Sequence, residues 1–101
     1  MENFTRISVQ KAHEIIESGS VNIVDIRDAD SFANGHMIHA KSVNDENIKN
    51  FVLETDKETP LICYCYHGFS SQQAALYFAN HGFKQVFSID GGWEEWKNTY
   101  G

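Results

Sequence analysis

A chain of 101 residues with 14 acidic and 8 basic side chains, formal net charge −6, suits one domain and not two. With 42 % hydrophobic and 13 % aromatic residues it has globular composition, enough to bury a core without disulfides or a structural metal. The acidic balance repels phosphate backbones and argues against nucleic acid as a general partner, and no apolar run approaches a membrane span.

In chain order, Thr5–Ile7 reads as a short strand. Ser8 reads as the N-cap of a helix that carries Val9, Ala12, Ile15 and Ile16 at helical spacing and stops at Ser18-Gly19-Ser20. Val21–Ile26 is apolar at most positions and β-branched, the pattern of a strand buried on both faces. Asp28–Asn34 forms a short helix stopped near Gly35, and Lys41–Val43 a short strand. Asp45 is expected to cap a helix whose apolar face is Ile48, Val52 and Leu53. After Thr59-Pro60, Leu61–Cys65 is a second buried-type strand. Ser70–Asn80 is a helix with Ala74, Ala75, Phe78 and Ala79 on one side and Gly82 just past its end. Val86–Ile89 is another strand, and Gly91-Gly92 turns the chain into a last helix carrying Trp93 and Trp96.

Strand and helix alternate along the chain with short connections. Right-handed crossovers then require an α/β fold with a mainly parallel sheet covered by helices. The working groups of such sheets lie beyond the carboxyl ends of the strands, here just after Asp25, just after Cys65 and around Asp90.

Cys65-Tyr66-His67-Gly68-Phe69-Ser70-Ser71 runs from the end of a strand to the start of a helix. A cysteine there faces the unpaired N–H groups of the helix, which favour the thiolate, the nucleophilic form. Gly68 permits positive φ or close backbone approach, and Ser70 and Ser71 add hydroxyls. A free cysteine has a pKa of about 8.5, so only about 3 % is thiolate at pH 7. Each unit of depression corresponds to about 1.4 kcal/mol. A helix dipole supplies roughly 0.3–1 kcal/mol, while each hydrogen bond to a charged group adds roughly 1.5–3 kcal/mol. Two or more N–H donors from Tyr66–Ser71 are therefore expected to point at the sulfur.

Cys63, inside the apolar run, reads as a core residue. The one-residue spacing of Cys63 and Cys65 makes a mutual disulfide awkward, so free thiols and a reducing, cytoplasmic setting are expected. Met1–Gln10 is polar and interrupted by charge, unlike a signal peptide. Cys63, Cys65 and His67 alternate, but zinc sites use four ligands with a turn between pairs, so no metal is expected. His67 either serves the loop or faces solvent. No cofactor motif lies nearby. Asp25 and Arg27 are read as a strand-end cap and an ion pair, and Trp93 and Trp96 as core.

Three stretches together resemble a single-domain rhodanese, most like the small bacterial thiosulfate sulfurtransferases of the GlpE type. They are Asp25-Ile26-Arg27 with Phe32 and Gly35-His36-Met37-Ile38-His39-Ala40, the Cys65–Ser70 loop, and Ser88-Ile89-Asp90-Gly91-Gly92-Trp93 with Trp96. They are similar to the family's D-x-R and G-H-I-x-G-A patterns, its cysteine loop and its closing G-G-x-x-x-W. The resemblance spans nearly the whole chain, so residues 1–101 are read as one rhodanese-like domain.

It implies a five-stranded parallel sheet with helices on both faces. It implies that Cys65 takes a sulfane sulfur from a donor such as thiosulfate and holds it as a persulfide. The sulfur then passes to cyanide or to a protein thiol, for example on a thioredoxin-like dithiol protein. The family's substrate cradle maps onto Tyr66, His67, Gly68, Phe69, Ser70 and Ser71.

The sequence departs from the pattern in three places. No arginine or lysine lies between Cys65 and Ser71, so anion recognition rests mainly on N–H groups. Ser31 stands where the family often has Glu, and His39 where it often has Gly.

Two other readings use similar parts. A cysteine phosphatase requires C-x₅-R to hold phosphate bidentately, and Ser71 occupies that arginine's place, with Tyr64 where a histidine usually precedes the cysteine. A non-catalytic binding module of the same fold usually lacks the cysteine.

Overall fold

The computed structural model describes residues 3–101. Met1 and Glu2, which open the Met1–Gln10 stretch and the expected domain, lie outside the described residues. The elements are β1 (Thr5–Ile7), α1 (Val9–Ser18), β2 (Asn22–Asp25), α2 (Ala29–Asn34), β3 (Lys41–Ser42), α3 (Ile48–Glu54), β4 (Leu61–Tyr64), α4 (Ser70–Asn80), β5 (Val86–Ile89) and α5 (Gly92–Tyr100). The strands form one five-stranded sheet in the order β1-β5-β4-β2-β3, and every pairing is parallel.

The period-two alternation of strand side chains divides the core into two layers. Ile23, Ile62, Tyr64 and Ile89 pack with Val9 and Ala12 of α1, Phe32 of α2 and Trp93 and Trp96 of α5. Val24, Leu61, Cys63 and Val86 pack on the other face with Phe51 of α3 and Ala75 and Phe78 of α4. Helices therefore cover both faces. β4 lies at the centre with all four residues buried. Burial of this kind contributes roughly 1.5–3 kcal/mol for a leucine or isoleucine side chain.

Ser8 caps α1, its hydroxyl accepting from the Lys11 N–H at 3.0 Å. Asp28 does the same for α2, accepting from Ser31 N–H at 2.8 Å. The expected Asp45 cap is not formed. Asn44 instead closes the turn ahead of the helix, its Oδ1 accepting from the N–H of Glu46 and Asn47, while Asn47 Oδ1 accepts from Asn44 N–H. Asn47 is the residue at the α3 N-cap. The apolar face of α3 is also shifted: Phe51 is buried beside Ile48 and Val52, whereas Leu53 is 79 % exposed. Positions 48, 51 and 52 fit the helical repeat and 53 falls off it. Strand ends differ from expectation by a residue. Cys65 falls just past β4, and Ile26 and Val43 continue the ladder by single bonds, to Tyr64 O and Asp25 O.

His39 has φ 67°, the left-handed region. Histidine visits this region less readily than glycine, which accounts for the family's usual glycine at this place.

Strand order places the site. From β2 the chain moves outward to the β3 edge, whereas from β3 it returns past β2 to β4 and then to β5. The segments leaving β2 and β4 therefore diverge. α2, after β2, packs on one face and α4, after β4, on the other. A crevice opens between the carboxyl ends of these two strands, the usual binding position in such sheets.

Candidate active site

Cys65 is 7 % exposed and lines an open cleft of about 490 Å³ at that crevice, with Ile26, Arg27, Asp28, Ser31, Tyr66 and Ser70. The N–H groups of Gly68 and Ser71 donate to Cys65 Sγ at 3.1 and 3.2 Å. The Ser71 hydroxyl oxygen lies 3.5 Å from the sulfur. Burial alone pushes the thiol pKa up. Hydrogen bonds from the Ser71 hydroxyl and from the N–H groups of Ser71, Gly68 and His67 outweigh it, so the thiol is held below its ordinary value. Cys63 shows the opposite case: fully buried, with the Cys65 sulfur nearby, it is pushed strongly upward. Its single S–H has Ser71 O at 3.4 Å and Phe87 O at 3.5 Å from the sulfur as acceptors. Two cysteines one residue apart thus differ because only one of them meets N–H donors.

The other loop residues take different positions. Tyr66 and Ser70 line the cleft. The His67 side chain is 58 % exposed, with Nδ1 3.4 Å from Glu94 Oε1, so it faces solvent beside α5. Phe69 is 77 % exposed, and Tyr66, which lines the cleft, 41 %. Gly68 has φ +97°, and a Cβ there would meet Gly91 N at 2.9 Å and Ile89 O at 3.0 Å. Its glycine requirement comes from the β5–α5 turn behind the loop as well as from its φ. Gln72 Nε2 donates to Gly68 O at 3.0 Å and holds the loop from α4.

Asp25 and Arg27 form a structural pair. Asp25 is fully buried and takes a two-pronged bond from Arg27, Nη2 to Oδ2 at 2.7 Å and Nε to Oδ1 at 3.1 Å, plus the Arg27 N–H. Tyr64 donates its hydroxyl to Asp25 Oδ2 at 2.7 Å and accepts from Met37 N–H at 3.0 Å, while Arg27 Nη2 also reaches Gly35 O. A buried carboxylate is costly unless paired and hydrogen-bonded, and here it is both. The network ties β2, the residue before Cys65 and the segment after α2 into one support. Ser31 lies outside the loop in sequence but lines the same cleft. Asp90, at the third expected position, is engaged with Arg6 at 2.9 Å.

Three residues named in the sequence were given no part in the site there: Tyr64 in the carboxylate network, Ser88 behind Ser71, and Gly92. The N–H groups of Trp93 and Glu94 donate to the carbonyls of Cys65 and Tyr66 at 2.8 and 3.1 Å, so the start of α5 grips the loop. A polar residue amid the apolar run Val86–Ile89 was the available signal for Ser88. The paired glycines were the signal for Gly92.

Residues 8–99 match the Rhodanese-like domain family. The chain belongs to this family. A protein of Stutzerimonas stutzeri named thiosulfate sulfurtransferase GlpE is 47 % identical over 100 residues, which cover 99 % of this chain and 91 % of the relative. One of the same name from Shewanella oneidensis is 46 % identical, covering 95 % of each. The rhodanese-like domain of an Anabaena protein, solved in solution, superposes with a TM-score of 0.84 at 20 % identity, covering 98 % of this chain and 77 % of that one. At that identity it shows the fold alone.

In this rhodanese-like site the depressed thiol gives a pH prediction with a definite sign. Alkylation of Cys65 by iodoacetamide should have its midpoint below that of a free thiol, about 8.5. Ionised Cys65 also stabilises the fold. That contribution is present in full above the unfolded-chain pKa and is lost as pH falls through the folded one. Mass-resolved alkylation rates from pH 5 to 10 check the point; a midpoint at or above about 8.5 would remove the N–H cradle as the activating device.

Proposed function

We propose that this chain is a thiosulfate sulfurtransferase that works as a single rhodanese-like domain through a persulfide at Cys65. The observation that carries the reading is the sulfur itself, placed in an open cleft and facing the N–H groups of Gly68 and Ser71. The Cys65 thiolate attacks the outer sulfur of thiosulfate. The new Cys65–S bond forms as the old S–S bond breaks, and sulfite leaves with the electron pair. The result is a Cys65 persulfide anion. Cyanide, or the thiolate of an acceptor protein, then attacks the outer sulfur and returns Cys65 as thiolate.

The donor carries two negative charges, and no lysine or arginine lies in the loop to meet them. The cradle of Tyr66, His67, Gly68, Phe69, Ser70 and Ser71 meets them with backbone dipoles. Arg27 borders the cleft, but its guanidinium is committed to Asp25 and Gly35. The exposed rings of Tyr66 and Phe69 suit a protein acceptor, such as a thioredoxin-like dithiol protein. Such an acceptor fits a cytoplasmic setting, where both free thiols would stay reduced.

Two half-reactions through one covalent intermediate give ping-pong kinetics. Double-reciprocal plots with thiosulfate and cyanide should be parallel, and one equivalent of sulfite should appear with thiosulfate alone. Intersecting lines, or sulfite released only when cyanide is present, would reject the persulfide route. A non-catalytic module would release none.

A further inference from the structure

Ser88 is the one polar side chain of β5 and is fully buried. It pairs in register with Cys63 of β4. Its Oγ lies 2.7 Å from Ser71 Oγ, which is also fully buried, and Ser71 Oγ is in turn 3.5 Å from Cys65 Sγ. Two hydroxyls and a thiol therefore form a chain from the central sheet to the reacting sulfur. Among the described residues, Ser71 is the hydrogen-bond partner of the Ser88 hydroxyl, and there is no other.

Counting hydrogens along this chain separates the two states of the sulfur. With Cys65 as thiol, either its S–H donates to Ser71, Ser71 donates to Ser88 and the buried Ser88 hydrogen lacks an acceptor, or its S–H turns to the cleft and the chain ends on a neutral sulfur, a weak acceptor. With Cys65 as thiolate, the direction reverses. Ser88 donates to Ser71, Ser71 donates to the sulfur, and every hydrogen is used, ending on the charge. Loss of the Cys65 proton to the open cleft and two hydroxyl rotations separate the states. Without Ser88, the Ser71 hydroxyl is free to turn to carbonyls of the preceding turn, as helical serines do.

We propose that Ser88 is a positioning residue for sulfur transfer, holding the Ser71 hydroxyl as a donor to Cys65 whenever the sulfur is anionic. The proposal rests on Cys65 as the reacting group and extends the machinery to a strand that does not touch substrate. The same hydroxyl pair serves both half-reactions, because thiolate is consumed in the first and regenerated in the second.

The charged and titratable groups around the sulfur are Arg27 with its partners Asp25 and Tyr64, Asp28 and Tyr66 in the cleft, His67 with Glu94 above the loop, Cys63 on β4, Asp90 behind Gly68, and Glu95 and Lys97 on α5. None of them changes in the variants below, so a shift in the alkylation profile reports on the hydroxyl chain.

The test is a cycle of wild type, Ser88→Ala, Ser71→Ala and the double variant, each read by iodoacetamide alkylation of Cys65 against pH and by thermal melting. Ser88→Ala should raise the alkylation midpoint by about one pH unit, slowing the reaction about tenfold below it and leaving the alkaline plateau unchanged. Ser71→Ala should raise it at least as far. The double variant should match Ser71→Ala alone. A structural role for Ser88 would lower the melting temperature and leave the midpoint in place. An unshifted midpoint in Ser88→Ala, or a shift that persists in full in the Ser71→Ala background, would overturn the proposal. Should Ser88→Ala not fold, Ser88→Cys, which keeps the volume and weakens the donor, takes its place in the cycle, with a raised midpoint expected and an unshifted one overturning the proposal. Alkylation does not depend on turnover, so failure here is distinct from failure of the sulfurtransferase reading.

Discussion

Cys65→Ser is expected to reduce sulfur transfer to the uncatalysed background while leaving the fold in place. A serine hydroxyl does not ionise in the working pH range and cannot hold a transferable sulfane sulfur, so both half-reactions are lost together. Structurally the change is mild. The hydroxyl still accepts from the Gly68 and Ser71 N–H groups that now face the sulfur, and the residue keeps some access to the cleft. Cys63→Ala is the reciprocal control. It removes a fully buried sulfur that packs against Val24, Leu61, Ala75 and Phe78, at a cost on the order of 1 kcal/mol. For a domain of this size that lowers the melting temperature by roughly 4–8 °C. Turnover should survive, with at most a small loss from loosening the Ser71 carbonyl that the Cys63 thiol contacts. Steady-state rates with thiosulfate and cyanide, read beside circular dichroism and thermal melts, separate the two. Turnover in Cys65→Ser, or a folded but inactive Cys63→Ala, would move the chemistry away from Cys65.

The contrast between the two cysteines could be read from sequence because it depends on local context. Cys63 sits between Ile62 and Tyr64 in an apolar run, and Cys65 opens a Gly- and Ser-containing loop before a helix. The same holds for the parallel sheet, since the strand–helix alternation constrains the crossovers. What could not be read from sequence depends on contacts between distant segments. Tyr64 bonds Asp25 across 39 positions, and Ser88 meets Ser71 across 17. No periodicity encodes such a pairing; the first exists because β2 and β4 are sheet neighbours, the second because α4 packs against β5. The misplaced cap at α3 has a different cause. Asn44-Asp45-Glu46-Asn47 forms a turn ahead of α3 closed by the side chains of Asn44 and Asn47, so Asp45 lies inside the turn and not at the helix start. Leu53 is a phase error of one position on a helix of only seven residues, too short for its period to be well defined.

Gly92→Ala should be the most damaging substitution outside the reacting loop. Gly92 is buried with φ +57°, and a Cβ built there would lie 2.5 Å from Cys65 O, 2.6 Å from Tyr66 O and 2.7 Å from Tyr66 C. All three are backbone atoms, so no side chain can rotate out of the way. The next two residues make the conflict worse, because Trp93 N–H and Glu94 N–H bond those same two carbonyls and hold α5 against the loop. Relief therefore requires either withdrawing α5, with loss of both bonds, or displacing the Cys65-Tyr66 backbone into the cleft. The left-handed conformation alone costs an alanine roughly 1–2 kcal/mol. With the overlap added, a total loss on the order of 3 kcal/mol is expected, a large share of the stability of a domain this size. If the protein remains folded, the displaced backbone carries the sulfur away from the Gly68 and Ser71 N–H groups. The alkylation midpoint should then rise toward the free-thiol value and kcat/KM for thiosulfate should fall with it. Gly82→Ala is the matched control, with positive φ and no atom within 4 Å of the added Cβ; it should lose stability only and keep the wild-type midpoint. Equal effects of the two substitutions on the midpoint would show that the α5 contact does not set the position of the Cys65 loop.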